Sequence, residues 1–456
     1  MVLILGIVMA VLDGSIVNLA LPAITTAMGT SAAQSLWVIN GYQLATLAML
    51  LPLASLGESI GYRRVYRGGM VVFGVASIAC AMADSLDMLV AARLLQGVGA
   101  AGIMGVNAAL LRLIYPPHLL GRGIAINSVV VAAAAVAGPS VAAAVLSQAD
   151  WPWLFAINLP LVVLSLWLGR TALPANQVRR TGAGFSVLDV LLNGLMFGLV
   201  FLGIDGLGSH AGVTASTPAE GPRPVPWLAL AEIATGTLIG LVYVRRQLAE
   251  AVPLLPLDLL RIPVFALSMA TSVGAFCAQT LAFAGLPFLL LGSFGFGNVT
   301  AGLVLTAWPL GIVAMAPIAG RLIGRYAGGL LGGVGLGLLA CGLAALAWLP
   351  EQPSPQTVAW RMAWCGLGFG LFQSPNNHTI LTAAPAHRSG GAGGMLATAR
   401  LTGQSLGVAL LAVIFSFLGA YGRQGPVAAL WLAAAFAAAA AVCSSLRLRQ
   451  SVVLQG

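Results

Sequence analysis

The sequence contains no lysine at all, and charge of either sign is scarce: 7% of 456 residues, against 59% hydrophobic and a mean hydropathy of +0.97. A soluble domain needs a charged shell that this composition cannot supply, so a soluble globular protein is excluded. Without lysine there is no phosphate-cradling G-x-x-x-x-G-K-[ST] loop, and no H-E-x-x-H is present, so neither ATP hydrolysis nor zinc proteolysis has its motif. The five cysteines (Cys80, Cys277, Cys341, Cys365, Cys443) stand singly in apolar segments without Cys-x-x-Cys spacing, which argues against a disulfide framework or a metal centre. The formal charge of +9 comes from 21 arginines against 12 acids, but the arginines are scattered and form no basic, aromatic-interleaved patch, so nucleic acid is not an expected partner. Acids are rarest toward the C-terminus: after Asp258 the only one is Glu351.

What is present is a succession of apolar runs of about 20 residues, each enough to cross roughly 30 Å of hydrocarbon as a helix. Helices satisfy their own backbone groups in lipid, so the expected fold is an all-α membrane bundle. Punctuation by Gly, Pro and charge places spans near residues 1–22, 35–56, 67–84, 88–113, 121–147 and 151–169, then 186–207 and 226–245, then 263–292, 298–320, 328–349, 356–384, 390–420 and 425–446. The first run carries Asp13 and lacks a basic lead, so it is expected to be a retained helix and not a signal peptide. The count is about fourteen, grouped as an N-terminal six-helix bundle (1–170), an inserted transmembrane hairpin with linkers (171–262) and a C-terminal six-helix bundle (263–456).

Arginine follows this map. The even-numbered connections and the C-terminal tail carry Arg63, Arg64, Arg67, Arg112, Arg122, Arg170, Arg179, Arg180, Arg245, Arg246, Arg261, Arg321, Arg325, Arg388, Arg447 and Arg449, while the odd-numbered ones carry only Arg223 and Arg423. By the positive-inside rule both termini are expected to be cytoplasmic. A short echo, "GESIGYR" from Gly57 and "GRLIGRY" from Gly320, shares G-x-x-I-G and suggests two related halves, a plan under which the substrate site lies at their interface near the midplane.

Polar residues inside hydrocarbon are costly, about 2.5 kcal/mol or more for a carboxylate at a helix centre, and mark cavities or partners. Asp13 is such a carboxylate, a candidate for taking up and releasing protons, with a structural hydrogen-bonded aspartate as the alternative. Arg93, Gln96, Gly97, Ala100, Met104 and Asn107 share one helical face, where Arg93 either holds a proton-binding carboxylate or snorkels to the surface. Gly97, Ala101, Gly105 and Ala109 make a ridge of small residues for helix packing. Gly138-Pro139 interrupts the fifth span as a pivot, a seal or a tolerated kink. In "GLFQSPNNHTIL", Gln373, Asn376, Asn377 and His378 surround Pro375 and are expected to face a cavity, with interhelical bonding as the alternative. Asp205 and Glu232 on the hairpin are weaker coupling candidates.

These strings resemble the major facilitator superfamily, in particular its 14-spanner drug:proton antiporter branch of multidrug efflux type, over nearly the whole chain. "LDGSIVNLALPAI" is similar to that branch's first-helix signature and implies Asp13 as the proton-linked acid. "RLLQGVGAA" matches the fourth-helix motif through Arg93, Gln96 and Gly97. "AGPSVAAAV" with "WPWLFAINLP" resembles the antiporter motif and its sequel, carrying Gly138, Pro139, Trp151, Trp153, Phe155, Asn158 and Pro160. The segment "ASLGESIGYRR" departs most, with Ala54, Glu58, Ser59 and Tyr62 replacing the family's Gly, Asp, Arg and basic residue, so a cytoplasmic latch on Gly57, Glu58, Gly61, Arg63 and Arg64 is expected to be weaker or rewired. Ala142 and Ala143 likewise replace a glycine pair.

The resemblance implies a proton-coupled secondary transporter of the cytoplasmic membrane that exports amphipathic or cationic compounds by alternating access. Asp13 and Arg93 are its expected coupling pair; Tyr42, Asn107, Gln279, Trp308, Gln373, Asn376, Asn377, His378 and Arg400 line its expected substrate cavity. The alternatives are a carrier of one metabolite or organic anion drawn by Arg93 and Arg400, and a membrane enzyme acting on lipid, for which no nucleophile, metal or base set is visible. The expected partners are a small-molecule substrate, protons and the lipid bilayer, with no cofactor and a monomeric chain.

Overall fold

The architecture is that of a computed structural model, which describes residues 2–116, 130–131, 133–134, 137–174, 186–216, 227–250, 257–384 and 389–453. Residues 121–129 and 217–226, together with Arg122, Arg179, Arg180, Arg223 and Arg388, lie outside the described residues, as do the side chains of Arg112, Asp205 and Arg449. Among the described residues the secondary structure is helical, apart from an isolated bridge between Ile323 and Tyr326. The chain divides into two compact units, Met1–Val200 with Ala234–Leu254, and Phe201–Ile233 with Leu255–Gly456.

The first unit contains α1 (Val2–Met28), the short α2 (Ala32–Ser35), α3 (Trp37–Leu56), α4 (Tyr62–Ala81), α5 (Leu86–Ile114), α6 (Ala137–Leu146), α7 (Trp153–Ala156) and α8 (Asn158–Ala172). Ser31 and Gln34 close a capping box on α2, and Ser85 caps α5 by accepting from the Met88 amide, so side chains satisfy donors at these helix starts. Helix α5 is central, packing on both α3 and α4. The small-residue ridge makes this possible: a Cβ at Gly97 would overlap the Tyr42 carbonyl oxygen, and one at Gly105 would lie 2.7 Å from that of Leu50.

Two further helices, α9 (Val187–Ser216) and α10 (Trp227–Ala249), contribute to both units, the division passing through each of them. The second unit continues with α11 (Pro263–Pro287), α12 (Asn298–Leu322), α13 (Gly328–Ala347), α14 (Pro355–Ala383), α15 (Ser389–Leu418) and α16 (Gln424–Val453). Here α14 packs on α12 and α13, α16 on α13 and α11, and α11 on α15. Large apolar side chains such as Val75, Trp167, Leu238 and Val442 are exposed, the arrangement expected where lipid is the solvent.

Among the described residues, eleven helical runs are long and apolar enough to cross a membrane, where fourteen were expected. One is a continuous 50-residue run, Ala32–Ala81, holding two expected spans. Only Ala137–Leu146 of the span at 121–147 is described as an apolar helix, and it is short. Helix α14 is 29 residues long, but Arg361 and the polar group around Pro375 keep it out of the eleven. The connection expected between the second and third spans, residues 57–66, is helical, with Gly57–Gly61 a π-helical turn between α3 and α4. The last glycines of the G-x-x-I-G echo, Gly61 (φ 110°) and Gly324 (φ 85°), both adopt backbone that favours glycine, although Gly57–Gly61 is a π-helical turn and Ile323 is extended. Two G-x-S-x-G strings occur, Gly57–Gly61 in the π-helical turn after α3 and Gly403–Gly407 inside α15 with Ser405 buried, and neither sits on the strand-to-helix turn that exposes a hydrolase nucleophile.

The described start of α9 is anchored by chemistry that proline creates. Pro52 lacks an N–H, so the Ala48 carbonyl in α3 loses its helical donor, and Asn193 of α9 donates to that oxygen at 2.8 Å. Near it Arg246 of α10 meets the buried Asp189 of α9 at 2.6 Å. We predict that Asn193→Ala lowers unfolding stability in detergent by about 1 kcal/mol. In a Pro52→Ala background, where residue 52 regains its N–H, the same change should cost clearly less.

Candidate functional site

The first unit's polar centre is built on Asp13. Its helix α1 is apolar almost throughout, so a carboxylate halfway along must find donors from neighbouring helices. Three reach it: Arg93 Nη1 of α5 donates to Oδ2 at 2.6 Å, Gln96 Nε2 of α5 to Oδ1 at 3.0 Å, and Asn158 Nδ2 at the start of α8 to Oδ1 at 2.8 Å. Asp13 and Arg93 are each 1% exposed, and Gln96 and Asn158 are fully buried.

Arg93 has further support that does not depend on Asp13. Its Nε donates to the Val38 carbonyl at 2.9 Å and its Nη1 to Gln96 Oε1 at 2.5 Å, while its guanidinium carbon lies 4.3 Å from the Tyr42 ring centroid and 5.6 Å from that of Phe155. The network extends through Gln96 Nε2 to Ser77 Oγ at 2.9 Å, with the Cys80 thiol 3.7 Å from Gln96 Oε1. Arg93 is thus a buried ion-pair member and does not snorkel. Gly138 of α6 closes on α1 at Ser15, since a Cβ there would overlap Ser15 Oγ; Pro139 is buried next to it.

Several expectations are redistributed. Tyr42, expected in an open cavity, is buried beneath Arg93 with its hydroxyl donating to the Ala10 carbonyl at 3.3 Å. Asn107 is also buried. In the π turn, Glu58 is half-buried, Arg63 donates to the Arg170 carbonyl near the C-terminus of α8, and Arg64 donates to Ile60 O at 3.4 Å. The Arg63 contact lies within the first unit and suits the carbonyl-rich end of a helix.

In the second unit the residues around Pro375 do not face one cavity, because successive helical positions are rotated by about 100°. Gln373 and Asn377 line a cavity of about 120 Å³ with Phe276 and Arg400. Asn376 turns inward, donating to Ser272 Oγ at 2.8 Å and accepting from Arg447 Nη1 at 2.8 Å. His378 is exposed and lines a different recess with Ile323, Tyr326 and Thr379. Trp308 is completely buried, edge-on to Phe283 at 5.1 Å, and Gln279 is half-buried.

Arg447, expected in a cytoplasmic tail, is 3% exposed, because α16 continues to Val453. It also donates to Ser268 Oγ at 2.8 Å and to Ser444 Oγ, and Ser444 Oγ donates to the Gly329 carbonyl at 3.0 Å, so one arginine ties together α11, α13, α14 and α16.

The family model described as Major Facilitator Superfamily matches residues 3–408. The chain belongs to the major facilitator superfamily. It is 48% identical over 448 residues to the uncharacterized transporter YebQ of Escherichia coli, covering 98% of this chain and 94% of that protein. It is 28% identical to the riboflavin transporter RibZ of Clostridioides difficile (90% and 86% covered) and 29% identical to the multidrug efflux pump LfrA of Mycolicibacterium smegmatis (91% and 80%). Among solved structures it resembles a POT family transporter in complex with a thioalcohol-conjugated peptide (TM-score 0.69, 15% identity, 100% and 96% covered) and a D-xylose-proton symporter (TM-score 0.63, 13% identity, 96% and 95% covered). At those identities the likeness concerns fold alone. The protein is therefore a multi-pass membrane transporter of the major facilitator fold.

Removing Arg93 would leave the Asp13 carboxylate buried without its ion partner, at a cost of about 3–5 kcal/mol. Arg93→Ala is expected to lower the melting temperature and membrane abundance sharply. Adding Asp13→Asn, which removes the stranded charge, should recover much of that loss.

Proposed function

We propose that the protein is a proton-coupled exporter of amphipathic compounds, working by alternating access across the bacterial inner membrane, with fourteen spans and both termini cytoplasmic. The observation that carries this reading is the buried Asp13–Arg93 pair with its Gln96 and Asn158 donors. Relatives that include the multidrug efflux pump LfrA and the riboflavin transporter RibZ are consistent with such cargo.

The pair has the physics of a coupling site. Asp13 unprotonated forms an ion pair from which solvent is excluded; Asp13 protonated is a neutral hydrogen-bonding group and the Coulomb attraction is gone. Arg93 keeps its charge in both states, resting on the Val38 carbonyl, Gln96 Oε1 and the faces of Tyr42 and Phe155. Proton binding then shifts free energy between α1 and its neighbours α5 and α8, and leaves the Arg93 charge resting on neutral dipoles and ring faces. Gly138 against Ser15 transmits any movement of α1 to α6.

Cations are the weaker part of the substrate expectation, because the buried carboxylate that would attract them is already enclosed by three donors. In proteoliposomes, Asp13→Asn is expected to abolish export driven by a proton gradient while leaving abundance and melting behaviour near those of the unaltered protein. Export at an unchanged rate by that variant would remove Asp13 from the coupling mechanism.

A further inference from the structure

Where α13 leads into α14, one arginine uses only part of its hydrogen-bonding capacity. Arg361 of α14 donates from Nη1 to the Ala345 carbonyl and, at 3.5 Å, to that of Trp348, at the C-terminus of α13. Arg423, just before α16, donates to the neighbouring carbonyl of Leu349. Two arginines therefore cap the carbonyl-rich end of α13. On Arg361 the cap occupies a single nitrogen. Its Nε is buried without a hydrogen-bond partner, no bond leaves Nη2 among the described residues, and the guanidinium carbon lies 5.4 Å from the Trp360 ring centroid. Nε and Nη2 make the side-on edge of a guanidinium, whose two parallel N–H bonds match a pair of oxygens on one anion. The unused edge is thus the bidentate one. A donor shielded from water and lacking an acceptor is also where an incoming oxygen gains most.

The surroundings are those of a membrane surface. Helix α14 has 29 residues, roughly 43 Å, against about 30 Å of hydrocarbon, so its ends must leave the apolar layer. Arg361 lies six residues past Pro355, roughly 9 Å along the helix, and helical side chains lean back toward the N-terminus, here toward the headgroups. Exposed tryptophans connect to it in turn. Trp360 and Trp364 have ring centroids 6.0 Å apart on α14, and Trp348, whose carbonyl Arg361 meets, has its ring 6.4 Å from that of Trp431 on α16. Indoles gather at the level where hydrocarbon gives way to headgroups, because ring and N–H suit different phases. Glu351, in the connection between α13 and α14, is exposed and forms no ion pair with Arg361.

We propose that Arg361 and these tryptophans bind one membrane phospholipid of the leaflet beside the α13–α14 connection. Nη2 and Nε take two phosphodiester oxygens, and Trp360 and Trp364 pack against the glycerol end of the acyl chains. A phosphate is the anion that the bilayer supplies at this depth, and its oxygens complement both the charge and the geometry of the open edge. Because the same guanidinium caps α13 through Nη1, the lipid also orders the cap and stabilises the packing of α13 with α14. The site is separate from the Asp13–Arg93 pair and does not depend on what the protein carries.

The test is native mass spectrometry of the purified, delipidated full-length protein titrated with dioleoyl phosphatidylethanolamine or with dioleoylglycerol, which has the same acyl chains and no phosphate. The zwitterionic headgroup keeps scattered surface arginines from dominating the result. The first phosphatidylethanolamine is expected to bind about tenfold tighter than the first dioleoylglycerol, the worth of hydrogen bonding to charged groups. Arg361→Gln should erase that difference by weakening the phospholipid alone, and Arg361→Lys, which keeps the charge without the paired edge, should lose part of it. Unchanged dioleoylglycerol binding certifies that a variant is folded; if Arg361→Gln fails that check, Arg361→Lys decides. In parallel melts the phospholipid should raise the melting temperature of the unaltered protein, and millimolar inorganic phosphate should not. Equal binding of the two lipids, or phospholipid binding indifferent to both Arg361 variants, overturns the proposal. So does stabilisation by inorganic phosphate equal to that by lipid, which makes this a free-anion site, or a protein dimer that Trp360→Leu dissolves, which gives the face to a second copy.

Discussion

A carboxylate and a guanidinium that cannot reach water constrain the first unit more than any other interaction. Once Asp13 is placed in the middle of α1, the neighbouring helices must bring donors to it, and the arrangement of α5 and α8 around α1 is the geometric answer. The approach of α3 to α5 follows from the same demand, because Arg93 needs the Val38 carbonyl and the Tyr42 face, and Gly97 lets the two backbones come close enough to provide them. Packing and polarity are therefore one problem here: the glycine ridge gives the distance and the ion pair gives the register. A buried pair of this kind is a poor source of stability compared with apolar packing, so its presence in an otherwise apolar helix calls for a functional account.

The two units handle buried arginine differently. In the first, Arg93 has a carboxylate partner and two aromatic faces. In the second, Arg447 donates to hydroxyl, amide and carbonyl oxygens of α11, α14 and α16, and Ser444 carries the network on to α13. A group whose charge is balanced by Asp13 can be perturbed by a proton, whereas a guanidinium held by neutral dipoles cannot be discharged by protonating them. On the proposed reading the first unit is the proton-responsive half.

Much of this was legible from the residues. Asp13, Arg93 and Gln96 stood out because polar groups in hydrocarbon are expensive and because the two on α5 share a face. The glycine ridge was equally readable from its four-residue spacing, and the all-helical membrane fold from hydropathy. Other features were not legible, for identifiable reasons. Asn158 was visible only as part of a matching string, since its role depends on a contact with Asp13 across 145 positions that no local pattern encodes. Ser77, Cys80 and Val38 joined the network with no signal beyond ordinary helix composition. Arg447 was assigned to a tail because hydropathy falls near the end of α16, although the helix continues past it. The polar group around Pro375 was read as one cavity lining because its members are close in sequence, and helical rotation sends them to three different environments.

The central claim is that Asp13 carries the exchangeable proton, and infrared difference spectroscopy of the purified protein during stepwise acidification tests it most directly. The account predicts a carboxylic C=O band in the spectrum of the unaltered protein that is absent from that of Asp13→Asn, with the other carboxyl bands unchanged. Identical difference spectra for the two proteins would contradict it.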